Sequence, residues 1–204
     1  ASSLALLGGQ PSLNSQIESH RQPLFYAAWL LALAGLTGIV VSADAFNIFV
    51  FMEISSLASY VLIAGGPDRR ALPSVFKYLV MGTIGATFYL IGIGLVYMMT
   101  GTLNLADLAV RVAELPAEDS ALIRVGAVML LLVFAIKASL LPLHFWLPAS
   151  YANAPAPVAA LFAIMTKVGA YSILRVYTLV FGPDVAVVEG LVDNWLLPAA
   201  LLTI

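Results

Sequence analysis

The 204-residue chain contains three lysines, Lys77, Lys137 and Lys167, and each stands in an apolar stretch. A glutamate, Glu53, is embedded in the same way, in FNIFVFMEISSLASYVLIA. An ionisable side chain at the centre of a bilayer costs about 2.5–3.5 kcal/mol on insertion scales, and residues of this kind usually face a cavity or one another. A chain that carries several is using the charges, most simply to move protons or cations.

The spacing assigns each residue a chemistry. Glu53 is centred in its apolar run, and on a helix Ser56 and Tyr60 share its face. Buried alone it would take up a proton, whereas a nearby ammonium would keep it ionised. Lys137 lies deep in its run, and the residues before it, AVMLLLVFAI, offer no counter-ion. Its partner has to come from another helix, and Glu53 is the candidate carboxylate at depth. A lysine poised this way can take up and release a proton. Lys167 has small or hydroxylated neighbours, Thr166, Gly169, Ala170 and Tyr171, which admit water or another helix. Lys77 follows Pro73 by four residues, so snorkelling to the interface explains it as well as function does. His144 stands between Pro142 and Pro148, as a proton relay or as a hydrogen-bond partner for broken backbone. The alternative for the whole set is structural: charges that lock helices together.

These residues need a membrane scaffold to position them. The chain is 62% hydrophobic and 10% charged, with a mean hydropathy of +1.01, against about 25% charged residues in a soluble domain. A spanning helix needs roughly 20 mostly apolar residues, and five segments qualify, at about 24–41, 45–64, 73–99, 121–141 and 157–181. The expectation is an all-α integral membrane fold. Residues 1–23 read as a polar loop, 24–182 as a five-helix unit, and 183–204 as a loop and the start of a further helix near Trp195. Between the third and fourth spans, TGTLNLADLAVRVAELPAED places Leu103, Leu105, Leu108, Val112 and Leu115 in a helical pattern, the mark of a short amphipathic interfacial helix. The whole reads as an interior piece of a longer membrane protein.

Two further features bear on mechanism. The fourth span runs into Pro142 and Pro148. Each proline removes a backbone donor and obstructs the preceding turn, so the spacing predicts either a helix broken beside a buried lysine, as transporters use, or an ordinary helix end with a re-entrant loop. Gly82, Gly85, Gly92 and Gly94 on the third span predict close helix packing. By the positive-inside rule the side holding Arg21, Arg69 and Arg70 is cytoplasmic, with a bias weakened by Arg111, Arg124 and Arg175.

Other chemistries are excluded or unsupported. The chain has no cysteine, hence no disulfide frame and no thiolate site. Two histidines without a carboxylate or H-x-x-x-H spacing argue against a metal centre. No phosphate-binding glycine loop or nucleophile elbow occurs, so no cofactor is expected. A net charge of −2 without a basic run points away from nucleic acid.

The stretch AIKASLLPLHFWLPASYANAPAPVAALFAIMTKVGAYSILRVY resembles the central signature of the antiporter-like membrane subunits. That family takes in the D-type subunit of Mrp-type Na+/H+ antiporters and the proton-pumping membrane subunits of respiratory complex I. FNIFVFMEISSLASYVLIAGG resembles its glutamate-bearing helix, and FKYLVMGTIGATFYLIGIGLVYMMTGTLNLADLA resembles the helix after it. The wording PLHFWLPASYANAPAPVAALFAIMTKVGAY is closer to the Mrp branch. The resemblance covers about residues 24–182. It implies one inverted-repeat unit, a half-channel, whose fourth helix is broken at Pro142. It implies that Glu53 and Lys137 form a charge pair, and that Lys167 lies on a central hydrophilic axis. His144 would fall on the broken stretch, and Lys77 would match a lysine less firmly tied to mechanism. A second repeat is missing from this chain.

The expectation is therefore a proton-translocating subunit of a multisubunit monovalent cation (Na+)/H+ antiporter in the plasma (inner) membrane. Its partners would be the other antiporter subunits, lipid, protons and sodium. The rival readings are a non-catalytic proton-pumping subunit of a complex I-like dehydrogenase or membrane hydrogenase, and a structural membrane scaffold.

Overall fold

The computed structural model describes residues 8–9, 11, 13, 15, 17–66, 69–116, 120–182, 185, 188 and 190–203. Among them the fold is all-helical. A 3-10 turn, Ser19–Arg21, leads into α1 (Gln22–Val41). It is followed by α2 (Ala45–Ala64), α3 (Ala71–Thr100), α4 (Leu105–Glu114), α5 (Ser120–Ala138), the short α6 (Leu147–Ala152), α7 (Ala156–Leu179), a π-helical turn Val192–Leu196 and α8 (Leu197–Thr203). Five of these helices, α1, α2, α3, α5 and α7, are long and apolar enough to cross a membrane. Their boundaries fall within a few residues of the spans read from hydropathy. The fourth ends at Ala138 rather than Leu141.

The spans run up and down, and their ends gather into two apolar layers. At one end, Ile39, Ala45, Ile48, Tyr89, Ile93, Phe134 and Val176 pack with the buried face of α4, Leu105, Leu108 and Val112. At the other, Trp29, Leu62, Tyr78, Trp146, Leu161 and Phe162 pack together. Van der Waals packing and glycine contacts hold the spans, because lipid offers no hydrophobic drive between them. A side chain on Gly35 would run into the Ser55 amide and the Phe51 carbonyl of α2, and one on Gly126 into the Gly92 carbonyl of α3. Of the four glycines expected to pack on α3, Gly92 does so against α5, and Gly82 makes room for the Tyr60 hydroxyl. Gly85 makes ordinary contact with Val133, and Gly94 faces open space.

The first layer is locked by a pair of helix caps. Asp44 accepts from the Asn47 amide at the start of α2, and Asn104 accepts from the Ala106 and Asp107 amides at the start of α4. Both satisfy first-turn N–H groups that have no partner within their helices. The two caps form an isolated antiparallel bridge, with Ala45 N–H donating to Leu103 and Leu105 N–H to Ala43, both at 2.8 Å. Arg111 ties α4 to the end of α3 through the Thr100 carbonyl, 2.8 Å away. At the same end the Arg175 guanidinium donates to the carbonyls of Ile39 and Val40, in the last turn of α1, where cations are favoured.

Candidate functional site

Between the two apolar layers, α2 carries a row of hydroxyls. Ser55 and Ser56 both donate back to the Met52 carbonyl, and Ser59 to that of Ser55. These bonds satisfy the hydroxyl protons within the helix, and all three serines are buried. Into this row reaches Lys137 from α5. Its side chain is 8% exposed, and its Nζ donates to Ser56 Oγ at 2.5 Å.

Glu53, one turn before Ser56, is half-buried and feels the Lys137 charge. No ion pair within 4 Å joins them: the ion pairs among the described residues are Glu18 with His20 and Arg21, and Asp107 with Arg111. The fold thus seats the Lys137 ammonium on a serine hydroxyl one helical turn from Glu53, with no ion pair between the two charges.

Lys137 is presented by the end of α5. Ser139 takes a left-handed φ of 56°. Its N–H bonds to the Ile136 carbonyl and the Leu140 N–H to that of Ala135, the paired closure that usually places glycine at the left-handed position. The helix therefore ends at Ala138, four residues before Pro142, and the Leu141–Pro142 peptide bond that follows is cis. Pro148 does not break a helix. It occupies the first turn of α6, where a missing N–H costs nothing.

The segment between α5 and α6 folds back onto the site. The Trp146 indole N–H donates to the Ile136 carbonyl at 3.0 Å. Its ring stacks on Tyr78 of α3, 4.4 Å between centroids and 9° between planes, and Tyr78 meets Tyr60 edge-on at 4.7 Å. Asn153, just after α6, donates to Ser74 of α3 at 2.8 Å. Tyr78 also directs its hydroxyl at the Met165 sulfur of α7, which lies 3.5 Å from the Ser59 oxygen. An aromatic bridge so connects the broken segment to the face of α2 that bears Ser56 and Tyr60. From the other side, Gly169 of α7 presses against the last turn of α5, where a side chain would meet the Ala138 amide and the Lys137 carbonyl carbon.

The remaining candidates lie apart. Lys167 and Lys77 are exposed on α7 and α3. His144 is half-buried in the segment after the break, with an Nδ1 that is buried and has no hydrogen-bond partner among the described residues. Sequence reasoning identified Ser56 and Tyr60 through their shared helical face, but missed Tyr78 and Trp146. Nothing in an apolar pattern separates an aromatic that bridges elements from one that fills space; Trp146 stood in the proline-bounded segment, and that was its one available signal.

The transmembrane family described as NADH:quinone oxidoreductase/Mrp antiporter matches residues 42–204. The chain is 42% identical over 202 residues to the D-type subunit of the Na(+)/H(+) antiporter of Bacillus subtilis (strain 168), covering 98% of this chain and 40% of that protein. It is 49% identical over 156 residues to an NADH-quinone oxidoreductase subunit, the N-type, of Desulforudis audaxviator (strain MP104C), covering 76% of this chain and 30% of the relative. Among solved structures, it superposes on a chain of the membrane-bound sulfane sulfur reductase, an archaeal respiratory membrane complex, with a TM-score of 0.77 and 35% identity, over 86% of this chain and 35% of that one. This chain therefore spans well under half the length of these relatives. The all-helical bundle, its five membrane-length helices and these matches together show that the chain belongs to the NADH:quinone oxidoreductase/Mrp antiporter transmembrane family.

Proposed function

We propose that this chain is the proton-translocating repeat of a subunit in a multisubunit monovalent cation/H+ antiporter of the plasma membrane, working with the other subunits of that complex. The observation that carries the reading is the Lys137 ammonium, buried at a helix break and bonded to Ser56, with Glu53 within reach of its charge. A carboxylate and an ammonium on separate helices form a unit whose charge changes when one proton moves. Moving one charge across 100 mV costs about 2.3 kcal/mol, and a pKa change of one unit corresponds to about 1.36 kcal/mol, so one or two units per step suffice. In this reading Lys137 alternates between a charged state, held by Ser56 and Glu53, and a neutral state that has passed its proton toward Lys167. Lys167 is exposed on this chain and would meet the rest of the subunit. His144 is a lesser candidate for the relay, and Lys77 a lesser one still.

The similarity to a Na(+)/H(+) antiporter subunit over nearly the whole chain supports sodium as the exchanged cation. A second reading is favoured by the similarity to an NADH-quinone oxidoreductase subunit: the same local chemistry driven by electron transfer. Replacing Lys137 with alanine in the complete complex should abolish pH-gradient-driven cation exchange in everted vesicles while the complex still assembles. Retained exchange would sink the antiport reading. Proton pumping that needs an electron donor, with no cation exchange in the parent complex, would select the redox reading.

A further inference from the structure

Lys137 does not rest on the carboxylate. Its ammonium donates to the Ser56 hydroxyl, and that hydroxyl spends its own proton on the Met52 carbonyl, 2.7 Å away. A hydroxyl has one proton and two lone pairs. With the proton committed to the helix backbone, the oxygen presents only acceptor capacity to the ammonium. Ser56 is 1% exposed, so bulk water does not compete for that capacity. Glu53 stands one turn away on the same helix. In a low-dielectric setting an ammonium and a carboxylate in direct contact attract strongly, and a contact too favourable to open would arrest a cycle that requires Lys137 to lose its proton.

We propose that Ser56 is a positioning residue: its hydroxyl provides a second resting place for the Lys137 ammonium, apart from Glu53, so that the lysine moves between two acceptors and is not locked on one. This rests on the antiport reading above. Ser56 is not itself a relay, because its proton stays on the Met52 carbonyl and no proton passes through it.

The titratable groups around this hydroxyl are few. Glu53 and Tyr60 come from α2, Tyr78 from α3 and Lys137 from α5, and the Tyr60 and Tyr78 hydroxyls interact with Ser56. α1 packs along α2 and carries no carboxylate, lysine, arginine or histidine. α7 contributes the Met165 sulfur through Ser59 and Tyr78, and its Lys167 is exposed. A change in pH profile on altering Ser56 is therefore read at Glu53, Lys137 and these two tyrosines.

The test is cation/H+ exchange in everted vesicles carrying the complete complex with Ser56→Ala, Ser56→Cys or Ser56→Thr, at matched amounts of assembled complex. Losing a charge-assisted hydrogen bond should lower the maximal rate about tenfold. The KM for the cation should stay unchanged, since the serine does not touch it. With the hydroxyl gone the charged ammonium has lost an acceptor, so its proton leaves more readily and the alkaline limb of the profile should move to lower pH. Ser56→Cys, nearly isosteric with a weak acceptor, should follow Ser56→Ala, and Ser56→Thr should restore both rate and profile. A wild-type rate and profile in Ser56→Ala or Ser56→Cys would overturn the proposal, as would a threonine variant no better than alanine. Exchange surviving Lys137→Ala would instead overturn the antiport reading, while a dead Lys137→Ala beside an unaltered Ser56→Ala would remove this inference alone.

Discussion

The Trp146 indole N–H bonds to the Ile136 carbonyl, 3.0 Å away and one residue before Lys137. A side chain beyond the helix break thus holds the backbone that presents the buried lysine. That carbonyl also receives the Ser139 amide, so it has two donors where an uninterrupted helix would supply one.

Because the two donors are separable, substitutions at Trp146 should grade. Trp146→Phe keeps the ring on Tyr78 and leaves Ser139 bonded to Ile136, and should cost about 0.5–1.5 kcal/mol. Trp146→Ala also removes a fully buried ring and should cost about 3–5 kcal/mol. Thermal unfolding of the detergent-solubilised protein should rank wild type, phenylalanine and alanine in that order. Equal effects would mean that the indole bond contributes nothing.

Gly169 of α7 packs directly against the last turn of the lysine-bearing helix. An added Cβ would sit 2.5 Å from the Ala138 amide nitrogen and 2.7 Å from the Lys137 carbonyl carbon. Both are backbone atoms that cannot rotate aside, so Gly169→Ala should push the helices apart at a cost of about 1–3 kcal/mol. Gly94→Ala, whose Cβ meets nothing within 4 Å, should leave stability unchanged or slightly raised. Matched melting curves of the two variants check this, and a neutral Gly169→Ala would refute the tight contact.

Outside the membrane spans, the Arg111 guanidinium beside Asp107 holds its carboxyl below the usual carboxylate range, across a 3.0 Å contact. A carboxyl whose folded value is depressed adds stability above its unfolded value, about pH 4, and loses it as pH falls through the folded value. Asp107→Asn should therefore lower the melting temperature slightly at pH 6, the pair being exposed to solvent. The difference from wild type should shrink as pH drops below about 4. A difference that persists or grows in acid would contradict the pairing.

The sequence alone determined the membrane class and the number of spans. Hydropathy over about 20 residues is a property of the segment itself, set by bilayer thickness. It also singled out Glu53 and Lys137, because an ionisable group in an apolar run is costly wherever the run ends up. The α4 helix was legible from the spacing of Leu105, Leu108 and Val112, as was the face shared by Glu53, Ser56 and Tyr60.

Only the tertiary structure decided how these parts meet. Proline signals placed the break at Pro142, but the helix closes at Ser139, in a left-handed conformation that serine does not announce in a sequence. The ammonium rests on Ser56 because α2 offers a buried acceptor where the long Lys137 side chain arrives from α5, a relation between residues 81 positions apart. Tyr78 and Trp146 became part of the site for the same reason. Stacking and a single indole bond depend on where three elements cross, and local pattern carries no information about crossing.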